Sequence, residues 1–352
     1  MKNNKKCKNK YKHILIAVFS VIIICVVVLG AGYMYIRANI YKKTEPLTSE
    51  HLQAPVKTKE ETIGYTEVEG ITNVLLVGVD GIDFDEKYQR SDSMIIATLD
   101  SNKEKVKLTS LYRDTLVYIP GYGEEKMNLA FSLGGPELVM ETIKYNFDVN
   151  IEKYIMINFA GFEAIIDQIG GVEIDVKEYQ LHELNKYIGQ ATGGGDCPVE
   201  KAGLQILNGK QALSYARIRK GVGDDYERTE RQREVLFKVA EKLQKTDVIK
   251  YFSIANKMLD YLRTNIEIMD GLNMAYTISK FSNLETEQLS IPVHELCVDE
   301  EFNGNMALRM DRYENALILN DFIFNDTLPD FILNRSTEKN QSIYYEYEGF
   351  GE

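Results

Sequence analysis

The chain predicts an α/β fold: a single α/β/α domain with a central mixed sheet covered by helices on both faces, preceded by one transmembrane helix. Three observations predict it. One long apolar run lies near the N-terminus, several short β-branched runs bounded by Gly, Asp and Asn follow, and these alternate with stretches of helical apolar spacing. The composition, 44% apolar and 27% charged over 352 residues with 25 Gly and 7 Pro, is that of a globular chain and not a disordered or collagenous one.

The apolar run, HILIAVFSVIIICVVVLGAGYMYI, spans residues 13–36 without an Asp, Glu, Lys or Arg. At about 1.5 Å per residue such a helix crosses a roughly 30 Å hydrocarbon core. Lys2, Lys5, Lys6, Lys8, Lys10 and Lys12 precede it, against Arg37, Lys42 and Lys43 just after, so residues 1–12 are expected to be cytoplasmic and the rest extracellular. A cleaved signal peptide is the alternative, but the apolar run continues past Gly30, Ala31 and Gly32 and no A-x-A site is evident. Residues 37–66, polar and carrying Pro46 and Pro55, read as an extracellular linker.

Residues 67–335 read as the domain. Strands are expected at 71–79 (ITNVLLVGV), 93–100 (SMIIATLD), 105–112 (KVKLTSLY), 172–176 (VEIDV) and 287–293 (EQLSIPV). Pro136 opens a helix carrying Leu138, Val139, Ile143 and Phe147, and the helix over 159–170 ends at Gly170-Gly171. Asn208 is placed to cap GKQALSYARIR, and a further helix runs from Asp225 to Gln244. Residues 336–352, rich in Tyr and Glu without apolar period, read as a C-terminal tail.

Charge narrows the function. Six of the 41 Lys and Arg and none of the 53 Asp and Glu lie in the first 36 residues, so the remainder carries 35 bases and 53 acids, a net −18. A body so acidic disfavours nucleic-acid binding, which rewards basic surfaces through counterion release. No P-loop, H-E-x-x-H or G-x-S-x-G pattern occurs, and the run from Asp80 to Asp85 breaks the EF-hand order. Cys7 and Cys25 belong to the tail and the membrane run, which leaves Cys197 and Cys297 as the pair sharing an oxidising compartment. A Cys197–Cys297 disulfide is expected, with two separate thiols as the alternative.

Open α/β sheets place sites at the carboxyl ends of their strands. Asp80 follows the first strand and Arg90-Ser91-Asp92 stands at the mouth of the second, so two carboxylates on one rim could hold a hard divalent ion. Arg113-Asp114 follows the third strand and adds a guanidinium able to grip phosphate, or an ordinary surface pair. Residues 217–233 hold six Lys or Arg against four Asp or Glu, and five of the six are Arg. Arg217 and Arg219 would point the same way in an extended stretch, while Arg228, Arg231 and Gln232 share a helical face. A clamp for a phosphate-bearing anion fits this pattern; a solvated helix face is the alternative.

In order, NVLLVGVD, RSDSMIIATLD, LTSLYRD, KMNLAFSLGG, YIMINFAGFEAIIDQIGGVEIDV and LNGKQALSYARIRKGVGDDYERTERQREVL resemble the LytR-CpsA-Psr family of Gram-positive bacteria across the whole exterior domain. The resemblance implies a membrane-anchored phosphotransferase moving a glycopolymer, such as teichoic acid or capsule, from undecaprenyl pyrophosphate to peptidoglycan, at an N-acetylmuramic acid hydroxyl. It implies Mg²⁺ held by Asp80 and Asp92, and pyrophosphate bound by Arg90, Arg113, Arg217, Arg219, Arg228, Gln232 and, more loosely, Arg231. Asp92, Arg113 and Arg217 would be catalytic, with Asp92 or a water taking the acceptor proton. A lipid-pyrophosphate hydrolase and a non-catalytic wall-binding or regulatory protein remain the alternatives.

Overall fold

A computed structural model describes residues 32–35, 37–38, 41–42, 54–55, 57–58, 62–64, 67–79, 91–188, 190, 197–218, 225–245, 261–281 and 285–332. Its strands, in chain order, are β1 (Ile71–Val79), β2 (Ser91–Asp100), β3 (Lys105–Leu111), β4 (Leu116–Ile119), β5 (Gly123–Lys126), β6 (Lys153–Asn158), β7 (Val172–Val176), β8 (Gly203–Leu207), β9 (Leu262–Thr264), β10 (Glu285–Ile291), β11 (Cys297–Phe302) and β12 (Asn305–Met310). The helices are α1 (Met127–Phe147), α2 (Phe159–Gln168), α3 (Glu178–Tyr187), α4 (Gly209–Arg217), α5 (Asp225–Gln244), α6 (Ile268–Lys280) and α7 (Arg312–Asn320).

Six strands form the central sheet in the order β10-β3-β2-β1-β6-β9. β1 runs parallel to β6 and β3 parallel to β10, whereas β2 is antiparallel to both of its neighbours and β9 to β6. The sheet is therefore mixed, as expected. Side chains alternate across it: Leu75, Val77 and Val79 of β1 join Val139, Ile143 and Phe147 of α1 and Leu319 of α7 on one face. Ile95 and Leu108 meet Phe237 of α5 on the other. Full burial of such side chains contributes about 1.5–3 kcal/mol each. A second cluster lies beyond α5, where its Val235 and Val239 pack with Ile166, Ile174, Leu184, Ala212 and Tyr215.

Several expected boundaries move. β3 ends at Leu111, and β10 stops at Ile291 because Pro292 has no N–H for the ladder. Gly134 and Gly135 kink α1, with Gly135 at φ +64°, and Pro136 opens its second half. The stretch after Ala216 is not extended through Arg217: Arg217 is the last helical residue of α4, and Ile218 is its C-cap.

Parts of the expected linker 37–66 touch the domain. Lys42 N donates to Thr264 O of the edge strand at 2.8 Å, and Arg37 pairs with Glu267 at 3.1 Å. Lys57 Nζ and Ile63 N both reach the Asp148 carboxylate, at 2.7 and 3.0 Å. Among the described residues no helix is long and apolar enough to cross a membrane; the expected span 13–36 lies outside them except for residues 32–35, which are helical. The tail 336–352 lies outside them as well.

The expected disulfide is not formed. Cys197 and Cys297 are both thiols. Cys197 Sγ accepts from Asn208 Nδ2 beside the start of α4, whereas Cys297 Sγ donates to His294 O at the β11–β12 hairpin. Separate subregions hold them, which leaves no bond-length approach for a bridge.

Candidate active site

The parallel strands β1, β3, β6 and β10 end at one rim of the sheet, where β2 begins. The register fixes this: Val79 pairs with both Ser91 and Asn158, and Leu111 with both Met94 and Ile291. Asp80 follows Val79 in sequence, Asp92 follows Ser91, and Arg113 stands two residues beyond Leu111. Asp80, Arg90 and Arg219 lie outside the described residues, as does the side chain of Asp92.

Helix α4 delivers Arg217 to this rim. Asn208 caps it by accepting from Gln211 N at 3.0 Å, and the Gln211 side chain returns the bond to Asn208 N, so the helix starts at a fixed point. Nine residues later Arg217 closes the last turn. Its guanidinium carbon sits 4.7 Å above the ring of Phe159, the residue that opens α2 directly after Asn158.

Helix α5 lies across the sheet at the same end and presents different faces to different neighbours. Gln232 accepts from Ser93 Oγ of β2 at 3.1 Å and donates to Ala216 O, next to Arg217, at 3.5 Å. One side chain thus links β2 beside Asp92 to the end of α4. Arg231 Nη2 donates to Ile218 O at 2.8 Å and its Nη1 reaches Glu227 at 3.4 Å. Arg231 is therefore turned onto the α4–α5 junction and braces it. Arg228 is buried.

On the sheet-facing stripe, Thr229, Arg233 and Phe237 follow one another four residues apart. Arg233 is 4% exposed and donates to Gln288 Oε1 at 2.9 Å, Ser110 Oγ at 2.6 Å and Ser290 Oγ at 3.0 Å. Burial strips water from this guanidinium and lowers its pKa. Thr229 donates to the Tyr112 hydroxyl at 3.1 Å, and burial, against the opposing pull of Ser290, Thr229 and Arg233, pushes that phenol up to about 12. Tyr112 is consequently a neutral strut at ordinary pH, fixing the chain just before Arg113.

Arg113 Nε donates to Asp114 Oδ2 at 3.2 Å, and Lys126 Nζ to Asp114 Oδ1 at 3.0 Å. The Arg113–Asp114 pairing weighed from the sequence is present, and Lys126 of β5 shares it. Asp114 also joins the two hairpins, since its carbonyl accepts from Leu308 N at 3.0 Å.

The structure therefore brings Arg217 and Gln232 to the rim that carries the flanks of Asp80 and Asp92, and puts Arg113 at the end of the neighbouring strand. Sequence reasoning passed over Ser93, Phe159, Tyr112, Thr229 and Arg233 as site residues. A signal existed for one group: Thr229, Arg233 and Phe237 at i, i+4, i+8 mark a sheet-facing stripe that turns polar toward the rim.

Comparison with known proteins bears on the family and the fold. The model of the LytR_cpsA_psr family matches residues 33–321. The regulatory protein MsrR of Staphylococcus aureus (strain COL) is 30% identical over 267 residues, 75% of this chain and 77% of that protein. The polyisoprenyl-teichoic acid–peptidoglycan teichoic acid transferase TagU of Enterococcus faecalis is 30% identical over 287 residues, 80% of this chain and 88% of that protein. Among solved structures, TagT bound to LIIa-WTA superposes with a TM-score of 0.61 at 25% identity, covering 76% of this chain and 94% of that one. The chain belongs to the LytR-CpsA-Psr family and is a transferase.

Proposed function

We propose that the protein is a membrane-anchored, extracellular phosphotransferase that moves an anionic glycopolymer from undecaprenyl pyrophosphate to an N-acetylmuramic acid hydroxyl of peptidoglycan. The observation that carries this reading is the Ser93–Gln232–Ala216 link, which draws the start of β2, helix α5 and the Arg217 end of α4 onto one rim. The name of TagU, with its polyisoprenyl donor and peptidoglycan acceptor, supports the substrate classes. The apolar run 13–36 supports the anchor, with residues 1–12 cytoplasmic.

The reaction is a displacement at phosphorus. The acceptor oxygen forms a bond to the glycan-bearing phosphorus, the bond from that phosphorus to the pyrophosphate bridging oxygen breaks, and prenyl phosphate leaves. Arg217, Arg113, Arg228, Gln232, Arg90 and Arg219 spread the negative charge that builds on the phosphoryl oxygens. The acceptor proton passes to Asp92 or to water. Asp80 and Asp92 would hold Mg²⁺: two carboxylates suit a hard cation, and their chain neighbours Val79 and Ser91 face each other in the β1–β2 register. Bound there, Mg²⁺ supplies further neutralisation of the phosphate oxygens.

The test incubates the purified protein with Mg²⁺, a lipid-pyrophosphate-linked saccharide and peptidoglycan fragments, beside Arg217→Ala, and reads products by mass spectrometry. Joined product from the wild type and at least a hundredfold less from the variant is expected, as for loss of a charge-stabilising donor. Release of phosphosaccharide without joining would instead indicate a hydrolase, and no turnover a binding or regulatory protein.

A further inference from the structure

We propose that Phe159 is the positioning residue for Arg217: the Arg217 guanidinium packed on the Phe159 ring is held in the plane and place from which it grips the pyrophosphate. This rests on the pyrophosphate reading of Arg217 above. Both groups are half-buried, and the guanidinium carbon lies 4.7 Å from the ring centroid, well inside the range of cation–π attraction. An arginine at a helix end has several rotatable bonds, and an anion that binds a wandering guanidinium loses affinity to its ordering. A flat aromatic face removes that freedom while leaving the edge N–H groups directed outward, where a phosphate takes them two at a time.

The ring is itself fixed at both ends of its setting. Asn158 caps α2 by accepting from Gly161 N at 2.8 Å, and its backbone pairs with Val79 in the sheet, the residue before Asp80. Phe159 therefore inherits the position of the rim. Gly161 lies so close to Tyr261 and Ile157 that a side chain there would collide with them. Across the helix pair, Gly209 at the start of α4 leaves no room for a Cβ against the Glu163 carbonyl of α2, and Gly209 N donates to Asp167 Oδ1 at 2.7 Å. Helices α2 and α4 are thereby locked backbone to backbone, so the ring on one and the guanidinium on the other meet in a set relation. Phe159 acts on the anion only through Arg217.

The experiment is a double-mutant cycle on the full chain in detergent, with farnesyl pyrophosphate as the probe and binding read by calorimetry. Phe159→Leu in the wild-type background is expected to weaken binding roughly three- to thirtyfold, the strength of a partly desolvated cation–π contact. In the Arg217→Ala background the same substitution is expected to change nothing, and Phe159→Tyr, which keeps the ring, to bind as wild type. Thermal midpoints of every variant separate a folding defect from a positioning one. Equal weakening by Phe159→Leu in both backgrounds overturns the proposal alone. An Arg217→Ala chain that binds as wild type, or a wild type that does not bind, overturns the pyrophosphate reading and the proposal with it.

Discussion

The two ends of β3 hold buried cations in opposite ways. At its start, Lys107 is fully buried yet met by the carbonyls of Phe322 and Ile323 at 2.7 and 3.1 Å and by Asp326 at 2.9 Å, with Asp100 at 4.0 Å. Lys105 beside it binds Glu287 at 2.6 Å and the other oxygen of Asp326 at 2.8 Å. At the far end, Arg233 is buried among the neutral oxygens of Ser110, Ser290 and Gln288. A cation matched by carboxylates has its field cancelled and serves as a lock. A cation solvated by neutral dipoles keeps its field, which extends toward an anion at the rim.

The largest expected effect breaks the lock. Lys107→Met leaves one Asp326 oxygen and two carbonyls without their buried cation and is expected to cost about 3 kcal/mol. Chemical denaturation measures it, while farnesyl pyrophosphate affinity per folded molecule stays unchanged. Arg233→Met sharpens the contrast: it removes hydrogen bonds to neutral partners, for about 1–3 kcal/mol of stability, but also removes a charge that no direct carboxylate bond neutralises, so the binding assay is expected to show weaker affinity. Equal binding by wild type and Arg233→Met would reduce Arg233 to a second lock.

The smallest effect is a pH dependence. Burial alone would raise the pKa of Asp326, but hydrogen bonds from Lys105 and Lys107 outweigh it and hold the carboxyl well below its usual range. Its stabilisation is therefore complete above the unfolded value near 3.9 and is lost as pH falls toward the folded one. Lys105, raised above its usual value chiefly by its hydrogen bonds to Asp326 and Glu287, contributes stability that is complete below about 10.4 and is lost as pH climbs through the folded value. Between those limits the lock is pH-independent. Below pH 4, one group changes stability by no more than about 1.4 kcal/mol per pH unit, and Asp326→Asn is expected to flatten that part of a denaturation-versus-pH curve.

The sequence was most legible where burial was greatest. β1, β7 and α5 match their expected limits because their apolar residues repeat with the period of the element. The β11–β12 hairpin was silent, since CVDEEF carries three consecutive acids and only one face of the pair meets the protein. β8 was equally obscure, with Leu204 and Ile206 on its exposed side and thus an inverted pattern. In the site, Arg217 and Gln232 were readable as a cluster. Arg231 shares their spacing, but its bond to the Ile218 carbonyl was not readable, because that carbonyl comes from another element. Phe159 was unreadable, since a phenylalanine opening a helix looks like any other core residue until its neighbour is known.

The lock at Lys107 also sets a timetable. Its carbonyl partner at Phe322 lies 215 residues further along the chain, and β10, which covers the outer edge of β3, is likewise among the last elements synthesised. During synthesis the first three strands leave the ribosome with both edges open and a lysine that has no interior to enter. The nascent chain must remain shielded until residue 326 is made, and a truncation before that residue leaves Lys107 without its carboxylate, however much of the rim it retains.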